Sequence, residues 1–325
     1  MIDKDAIMKK AIIKAALEAG FVRARILAAR ESPAFSFPAK DAAAPVQDAA
    51  APAQDAAANY RPDSPSLLVT ALPYGKDEAP PRRTPELAIA PFARRNYYRE
   101  AVKRLQKLAR DFRYRYGREN PEYALKRHYR VFCNSPVPEK PLAAACGLGV
   151  TGCNGLIITP EAGSLVIIAA LTLPFPLEGD GPLTGEDGAY CEKCGPLPPC
   201  MAACPTGAVR GDGVISLEKC VQWYASGNGE NVPPQVAANW GNRLYGCTAC
   251  QDACVRNRRP VPAAASSEGP LPPFLNGGKL LKLSDEELKA RFRGSALGLS
   301  WLGPAVIRRN IRTALGHDAR GTRRR

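Results

Sequence analysis

Two stretches of the chain, "CEKCGPLPPCMAACPTGAV" (191–209) and "LYGCTACQDACVRN" (244–257), hold seven of its eleven cysteines, and Cys220 lies between them. The first supplies Cys191, Cys194, Cys200 and Cys204, the last followed directly by Pro205; the second supplies Cys247, Cys250 and Cys254. A close pair of thiols, further thiols on short loops and a Cys-Pro ending together point to iron–sulfur ligation, because thiolates are soft donors and short loops let several grip one cubane. In double-cluster modules the last cysteine of a run reaches the neighbouring cluster. That crossing places Cys191, Cys194, Cys200 and Cys254 on one [4Fe–4S] cluster, and Cys204, Cys220, Cys247 and Cys250 on the other. One spacing is irregular: the five residues "GPLPP" separate Cys194 from Cys200, where two are usual.

Two all-thiolate zinc sites are the competing reading, since each C-x2-C pair suits a tetrahedral site. Zinc sites rarely need third and fourth thiols this close, so the spacing favours iron and sulfur. Disulfides fit poorly, because the opening "MIDKDAIMKKAIIKAALEAGF" lacks the uninterrupted apolar core of a secretory signal. No stretch approaches the roughly 18 apolar residues of a membrane span. The expectation is a soluble cytoplasmic protein with no membrane partner. Cys146 and Cys153 read as small core residues.

The 325 residues carry 45 Lys and Arg against 31 Asp and Glu, a formal charge of +14. Such a surplus suits a polyanionic partner, and equally a solvated basic surface. The ending "RGTRRR" is either a phosphate-binding arm or a frayed basic end. A hydrophobic share of 45% is ordinary for a folded chain and argues against wholesale disorder.

The elements that must position the thiols follow from pattern. Asp3 can cap a first helix with Ile7, Ala11 and Ala15 on one face, ending at Gly20. "DAAAPVQDAAAPAQDAAA" (41–58) repeats every seven residues, but a proline in each repeat interrupts a helix, so a disordered insertion is expected. "SLLVTALPYG" (66–75) reads as a buried strand ended by Pro73, and "YYREAVKRLQKLARDFRYRYG" as a long basic amphipathic helix. "NGLIITPEAGSLVIIAALTLP" holds two buried strands around the turn "TPEAG". Dense Pro and Gly set a boundary near Gly179, 262–273 is a linker, and Ser284 with Glu287 forms a capping box that opens a helical tail. The fold class is α+β: an α/β domain over 1–178, a double-cluster module over 179–262, and a linker with helical basic tail over 263–325.

The cysteine run, the stretch "CGLGVTGCNGLIITPEAGS" and the tail "LLKLSDEELKARFRGSAL…IRRNIRTALGH" resemble the epoxyqueuosine reductase family, in order from about Ser66 to His317. Reductive dehalogenases share the two-cluster and corrinoid arrangement, but are typically exported. The resemblance implies a nitroreductase-like domain that binds cobalamin, beside a ferredoxin-like module with two [4Fe–4S] clusters. It further implies reduction of a modified nucleoside in tRNA, with electrons from a low-potential donor such as ferredoxin or flavodoxin. Gly147, Gly149, Gly152, Pro160, Gly163 and Ser164 match the turns that border the corrinoid, where glycines let backbone approach a flat ligand; the other reading is that they only shape tight turns.

The chain departs from the family at one proposed site. The family pattern Asp-x-x-Pro-x-x-Glu-Arg, whose Asp is the proposed proton donor, is "CNSPVPEK" here, which puts Cys133 at the acid and Lys140 at the arginine. Lys140 keeps the charge without the two-pronged geometry, and an ordinary thiol, with a pKa of about 8.5, can still give a proton. The family's aromatic residue and lysine in the glycine-rich turn are Val150 and Cys153, and Val255 follows Cys254 in place of a proline. These departures put the substrate in question more than the clusters. Two further functions stay open: an electron-transfer or corrinoid-activating protein with no substrate of its own, and a zinc-stabilised nucleic-acid binder. The oligomeric state leaves no mark on the sequence.

Overall fold

The computed structural model describes residues 4–29, 64–76, 85–135, 137–229, 231–258 and 269–321. The repeat at 41–58, Asp3, most of the 262–273 linker and the basic end from 322 onward lie outside the described residues. The chain divides into two compact units. The first comprises Met1–Pro73, Tyr98–Thr151 and Leu156–Lys193; the second comprises Tyr74–Tyr97, Gly152–Gly155 and Cys194–Arg325.

The first unit is built on an antiparallel sheet, in the order β1 (Arg23–Ala28), β2 (Ser66–Pro73), β7 (Val166–Leu173) and β4 (Val131–Phe132). The run "SLLVTALP" forms the expected strand, buried along its whole length and ended at Pro73. It pairs with β1 on one side and β7 on the other, from Ser66↔Leu173 to Pro73↔Val166. Alternation puts Leu67, Val69 and Ala71 into one core cluster with Leu27, Phe132 and Ala170. Leu142 and Ala143 of a short helix, α3 (Glu139–Ala145), join that cluster with Cys146. Cys146 is the small core residue its setting suggested. Of the two strands expected around "TPEAG", β7 is full length, whereas β6 (Ile157–Ile158) is two residues that pair with β5 (Val150–Thr151).

Helix α1 (Lys4–Glu18) ends at Gly20 in the left-handed region (φ +87). Its buried residues are Ile12 and Ala16 rather than the expected face of Ile7, Ala11 and Ala15; Ile7 is 54% exposed. The side that packs on β1 decides this, and weak amphipathicity left the choice open in the sequence. Helix α2 (Tyr97–Tyr116) buries Ala101, Leu105, Leu108 and Phe112 and exposes Arg99, Lys103, Lys107, Arg110 and Arg115, whereas Arg104 and Arg113 are half-buried.

The first unit runs on past Gly179 to Lys193, because Asp180 ties its segment to β1. Its carboxylate accepts the Ile26 N–H at 2.7 Å, its own N–H donates to the Ile26 carbonyl at 2.9 Å, and Lys9 pairs with it at 2.8 Å. The second unit has a three-stranded sheet with β3 (Glu86–Ile89) in the middle. This strand runs parallel to β8 (Arg243–Tyr245) and antiparallel to β9 (Phe274–Asn276), with Glu86 opposite Asn276. The tail therefore belongs to the second unit and does not stand as a separate section. The capping box of Ser284 and Glu287 opens the helix Asp285–Arg291. The helix Pro304–Gly321 buries Ile307, Asn310, Ile311 and Ala314. Among the described residues no helix is long and apolar enough to cross a membrane.

Candidate functional site

Among the described residues no cysteine is joined in a disulfide. In the second unit the short helix Pro199–Ala202 carries Cys200, with Cys204 just beyond it, and packs against the short helix Ala249–Asp252, which carries Cys250. Burial pushes the Cys250 thiol far up, and the neighbouring Cys247, Cys220, Cys204 and Cys200 push it further. Cys220 is raised by burial, with Cys247 and Cys204 adding to it against two backbone N–H groups. Cys200, Cys204, Cys220 and Cys247 thus all lie near Cys250, so thiols that the crossing assigned to different clusters share this neighbourhood. Among the described residues no three His, Cys, Asp or Glu side chains converge as closely as a single-ion site requires; the thiols share a neighbourhood rather than a point. Thiols that oppose one another's ionisation are what a multi-iron cation reverses, since bound metal favours the thiolate. The donor set fits a cluster.

Cys204 is the exception in sign. Burial works upward, but the N–H groups of Thr206, Val209 and Ala208 and the Thr206 hydroxyl outweigh it and lower the thiol. The Ala208 N–H donates to Cys204 Sγ at 3.2 Å. The Cys-Pro-Thr-Gly turn makes this possible: Gly207 takes φ +65 with open space around it, which turns the following N–H groups back onto the sulfur. Of the other four thiols, Cys200 is buried and Cys194 and Cys254 are half-buried in the second unit, whereas Cys191 belongs to the first.

Side chains that spacing alone did not reveal hold these loops. Gln222, on the short helix Val221–Ala225 after Cys220, accepts the Cys247 N–H with its Oε1 at 3.0 Å. Its Nε2 donates to Ser226 Oγ at 2.8 Å. Gln251, next to Cys250, donates to the buried Tyr74 hydroxyl at 2.8 Å, and Asn257 donates to the Gln251 carbonyl at 2.8 Å. Burial holds Tyr74 protonated, pushing it well above the ordinary phenol range. A polar residue beside each ligand was the available signal, and it is a weak one.

In the first unit, Cys133 follows β4 directly and donates to the Ile168 carbonyl of β7 at 3.4 Å. Burial lifts its thiol far above the ordinary range, and Glu139 adds to the effect. The next residue, Asn134, takes φ +50, alone among the described non-glycine residues in being left-handed. Glu139 pins this turn, accepting the Ser135 N–H at 3.0 Å and the Ser135 hydroxyl at 3.1 Å. Lys140 lies half-buried in the first turn of α3.

The glycine-rich turns are explained largely by the chain itself. Gly147 (φ +68) ends α3 with the paired bonds of a left-handed cap: its N–H reaches the Ala144 carbonyl at 3.1 Å and the Leu148 N–H reaches Ala143 at 2.8 Å. A Cβ there would lie 2.5 Å from the Gly181 carbonyl oxygen. One at Gly149 would lie 2.6 Å from both Ile157 Cγ2 and the Ile158 carbonyl oxygen. Gly163 closes a turn by exchanging backbone bonds with Thr159 at 3.0 and 2.8 Å. Pro160 lies half-buried in that turn, Ser164 is buried just past it, and the Gly152 carbonyl accepts the Gly155 N–H at 2.8 Å. Arg23 joins the two turns. Its Nε and Nη2 donate to the Gly147 carbonyl at 3.2 and 3.1 Å, and its Nη1 pairs with Glu161 at 2.6 Å. Gly147 and Gly149 therefore carry no independent sign of a flat ligand.

Comparison with known proteins adds the family. A family model described as a 4Fe-4S double cluster binding domain matches residues 190–257. The epoxyqueuosine reductase of Escherichia coli (strain K12) is 32% identical over 231 residues, which cover 69% of this chain and 55% of that protein. That of Bacillus subtilis (strain 168) is 34% identical over 189 residues, 55% of this chain and 44% of the relative. The chain spans about half the length of these relatives. Among solved structures, an epoxyqueuosine reductase with an epoxyqueuosine-modified tRNA-Tyr stem loop superposes with a TM-score of 0.73 at 23% identity, covering 96% of this chain and 82% of that one. The enzyme from Streptococcus thermophilus gives 0.69 at 22% identity, covering 95% and 81%. At such identities the likeness establishes the fold.

Proposed function

Because the chain belongs to the epoxyqueuosine reductase family, we propose that it is an iron–sulfur and corrinoid-dependent reductase acting on a modified nucleoside in tRNA. The observation that carries this reading is the gathering of Cys200, Cys204, Cys220 and Cys247 around Cys250 within the double-cluster module. When bound, the clusters supply single electrons; cobalamin, proposed from the family rather than from the glycines, supplies the centre that gathers them. A low-potential ferredoxin or flavodoxin is the proposed donor.

The chain's own part is to hold the ligand loops and to present a proton. Cys133 stands in the acid's place, with Lys140 as the neighbouring cation. Burial keeps its thiol protonated at neutral pH and makes it a weaker acid than an ordinary cysteine. The tRNA reading draws support from α2. Lys103, Lys107 and Arg110 stand exposed along one face, which continues to Tyr114 (69% exposed) with the Arg118 guanidinium 4.4 Å over its ring. Cations interleaved with an exposed aromatic suit a phosphate backbone and an unstacked base.

Anaerobic reconstitution tests the cluster assignment: about eight irons per chain and a paramagnetic signal on reduction are expected. The loaded protein with cobalamin and a low-potential donor should then reduce epoxyqueuosine in tRNA. Cys133→Ala should slow turnover by about 10²–10⁴-fold, and Cys133→Asp should match or exceed the parent. A protein that binds only zinc sinks the reading; one that holds both clusters and reduces nothing as Cys or Asp is an electron carrier.

A further inference from the structure

The five-residue helix Val221–Ala225 joins two ligands of one cluster: Cys220 precedes it, and Gln222 on it accepts the Cys247 N–H. So short a helix has little stability of its own. Its far end is held by the helix Pro304–Gly321. Arg309 donates to the Tyr224 carbonyl and, at 2.7 Å, to the Gly229 carbonyl, and Asn310 donates to the Ala225 carbonyl at 3.0 Å. The Ala225 carbonyl is one that a helix leaves unpaired at its C-terminus, the Tyr224 carbonyl also accepts the Gly227 N–H at 3.0 Å, and Gly229 lies in the loop beyond. Asn310 is fully buried, and its Oδ1 and the Arg309 Nε are buried without hydrogen-bond partners among the described residues. An apolar pair would remove those two orphans but would also take the donors from the Tyr224, Gly229 and Ala225 carbonyls and free this segment.

We propose that Arg309 and Asn310 are positioning residues for the cluster held by Cys204, Cys220, Cys247 and Cys250. By fixing the end of helix Val221–Ala225, they fix the spacing of Cys220 from Cys247. The adjacent Arg308 supplies an internal comparison. It faces the other way, donating to the Leu281 and Leu283 carbonyls at 3.0 and 2.6 Å and pairing with Asp285 at 2.9 Å. It anchors the same helix without touching the cluster's supports.

The inference rests on the two-cluster reading, which the parent protein tests by itself. The full chain and its Arg309→Met, Arg309→Lys, Asn310→Leu and Arg308→Met variants are reconstituted anaerobically. Iron, the paramagnetic spectrum and the two midpoint potentials are then measured. Arg309→Met and Asn310→Leu should either halve the iron, from about eight to about four per chain, or shift the potential and spectrum of one cluster only. Arg309→Lys, which keeps the charge and donors for one carbonyl, should restore part of the effect, and Arg308→Met should leave both clusters as in the parent. If Arg309→Met fails to fold, Asn310→Leu decides. Unaltered clusters in Arg309→Met and Asn310→Leu overturn the inference alone, as does an equal change in Arg308→Met. A parent protein that takes up no iron overturns the cluster reading and this inference with it.

Discussion

Gly147→Ala tests whether the glycine-rich turn is built for the chain or for a ligand, and Gly181→Ala is its natural partner. Both positions are left-handed, at φ +68 and +67, so each alanine carries the same backbone strain of about 1–2 kcal/mol. Their surroundings differ. An added Cβ at Gly181 meets nothing within 4 Å, whereas at Gly147 it falls 2.5 Å from the Gly181 oxygen and 3.2 Å from the Leu183 nitrogen. Those are backbone atoms on a segment tied down by Asp180, so they cannot swing aside. Overpacking of this kind costs about 1–3 kcal/mol more. Hydrogen exchange along β2 and β7 reads the first unit's opening directly, without assuming that both units unfold together. Protection should fall about 5- to 150-fold further in Gly147→Ala than in Gly181→Ala, at about 1.4 kcal/mol per tenfold. Equal protection in the two variants would refute the packing argument and return Gly147 to the ligand reading.

Two other outcomes follow from charge. Burial pushes the Cys146 thiol up to about 12 from an ordinary 9.0, so between those values the folded chain holds a proton that the unfolded chain has lost. Stability is then complete below pH 9 and falls as pH rises through that window, by at most about 1.4 kcal/mol per pH unit; urea unfolding of Cys146→Ala at pH 9, 10 and 11 should show a shallower decline, and an identical slope would contradict the assignment. Replacing Lys103, Lys107 and Arg110 by alanine should weaken tRNA binding and reduce the log–log salt slope by about 2–3, whereas an unchanged slope would leave α2 a solvated face.

The parts legible in the sequence were those with a local signature. Thiol spacing marked the region that the double-cluster family model matches, alternation and Pro73 bounded β2, and Ser284 with Glu287 marked a helix start. Strands β3, β8 and β9 were not legible: they are three or four residues long, and their pairing joins distant segments. A glycine required by a cap and one cleared for a ligand read alike, so Gly147 was ambiguous until its neighbours were placed. Arg309 and Asn310 act on carbonyls 80 to 85 residues away, and no window of sequence contains both partners.

The position of β3 bears on how the protein is made. Glu86 waits for Asn276, so the sheet of the second unit cannot close until the ribosome has added the intervening chain. At about 5–20 residues per second that takes about 10–40 s. Every cluster candidate from 191 to 254 is synthesised inside this interval, and all but Cys191 belong to the unit that β9 completes. Nascent chains therefore pass through a period in which all eight thiols exist before the sheet of the second unit has closed. A cluster that needs the closed sheet of the second unit would be inserted only after β9 is translated.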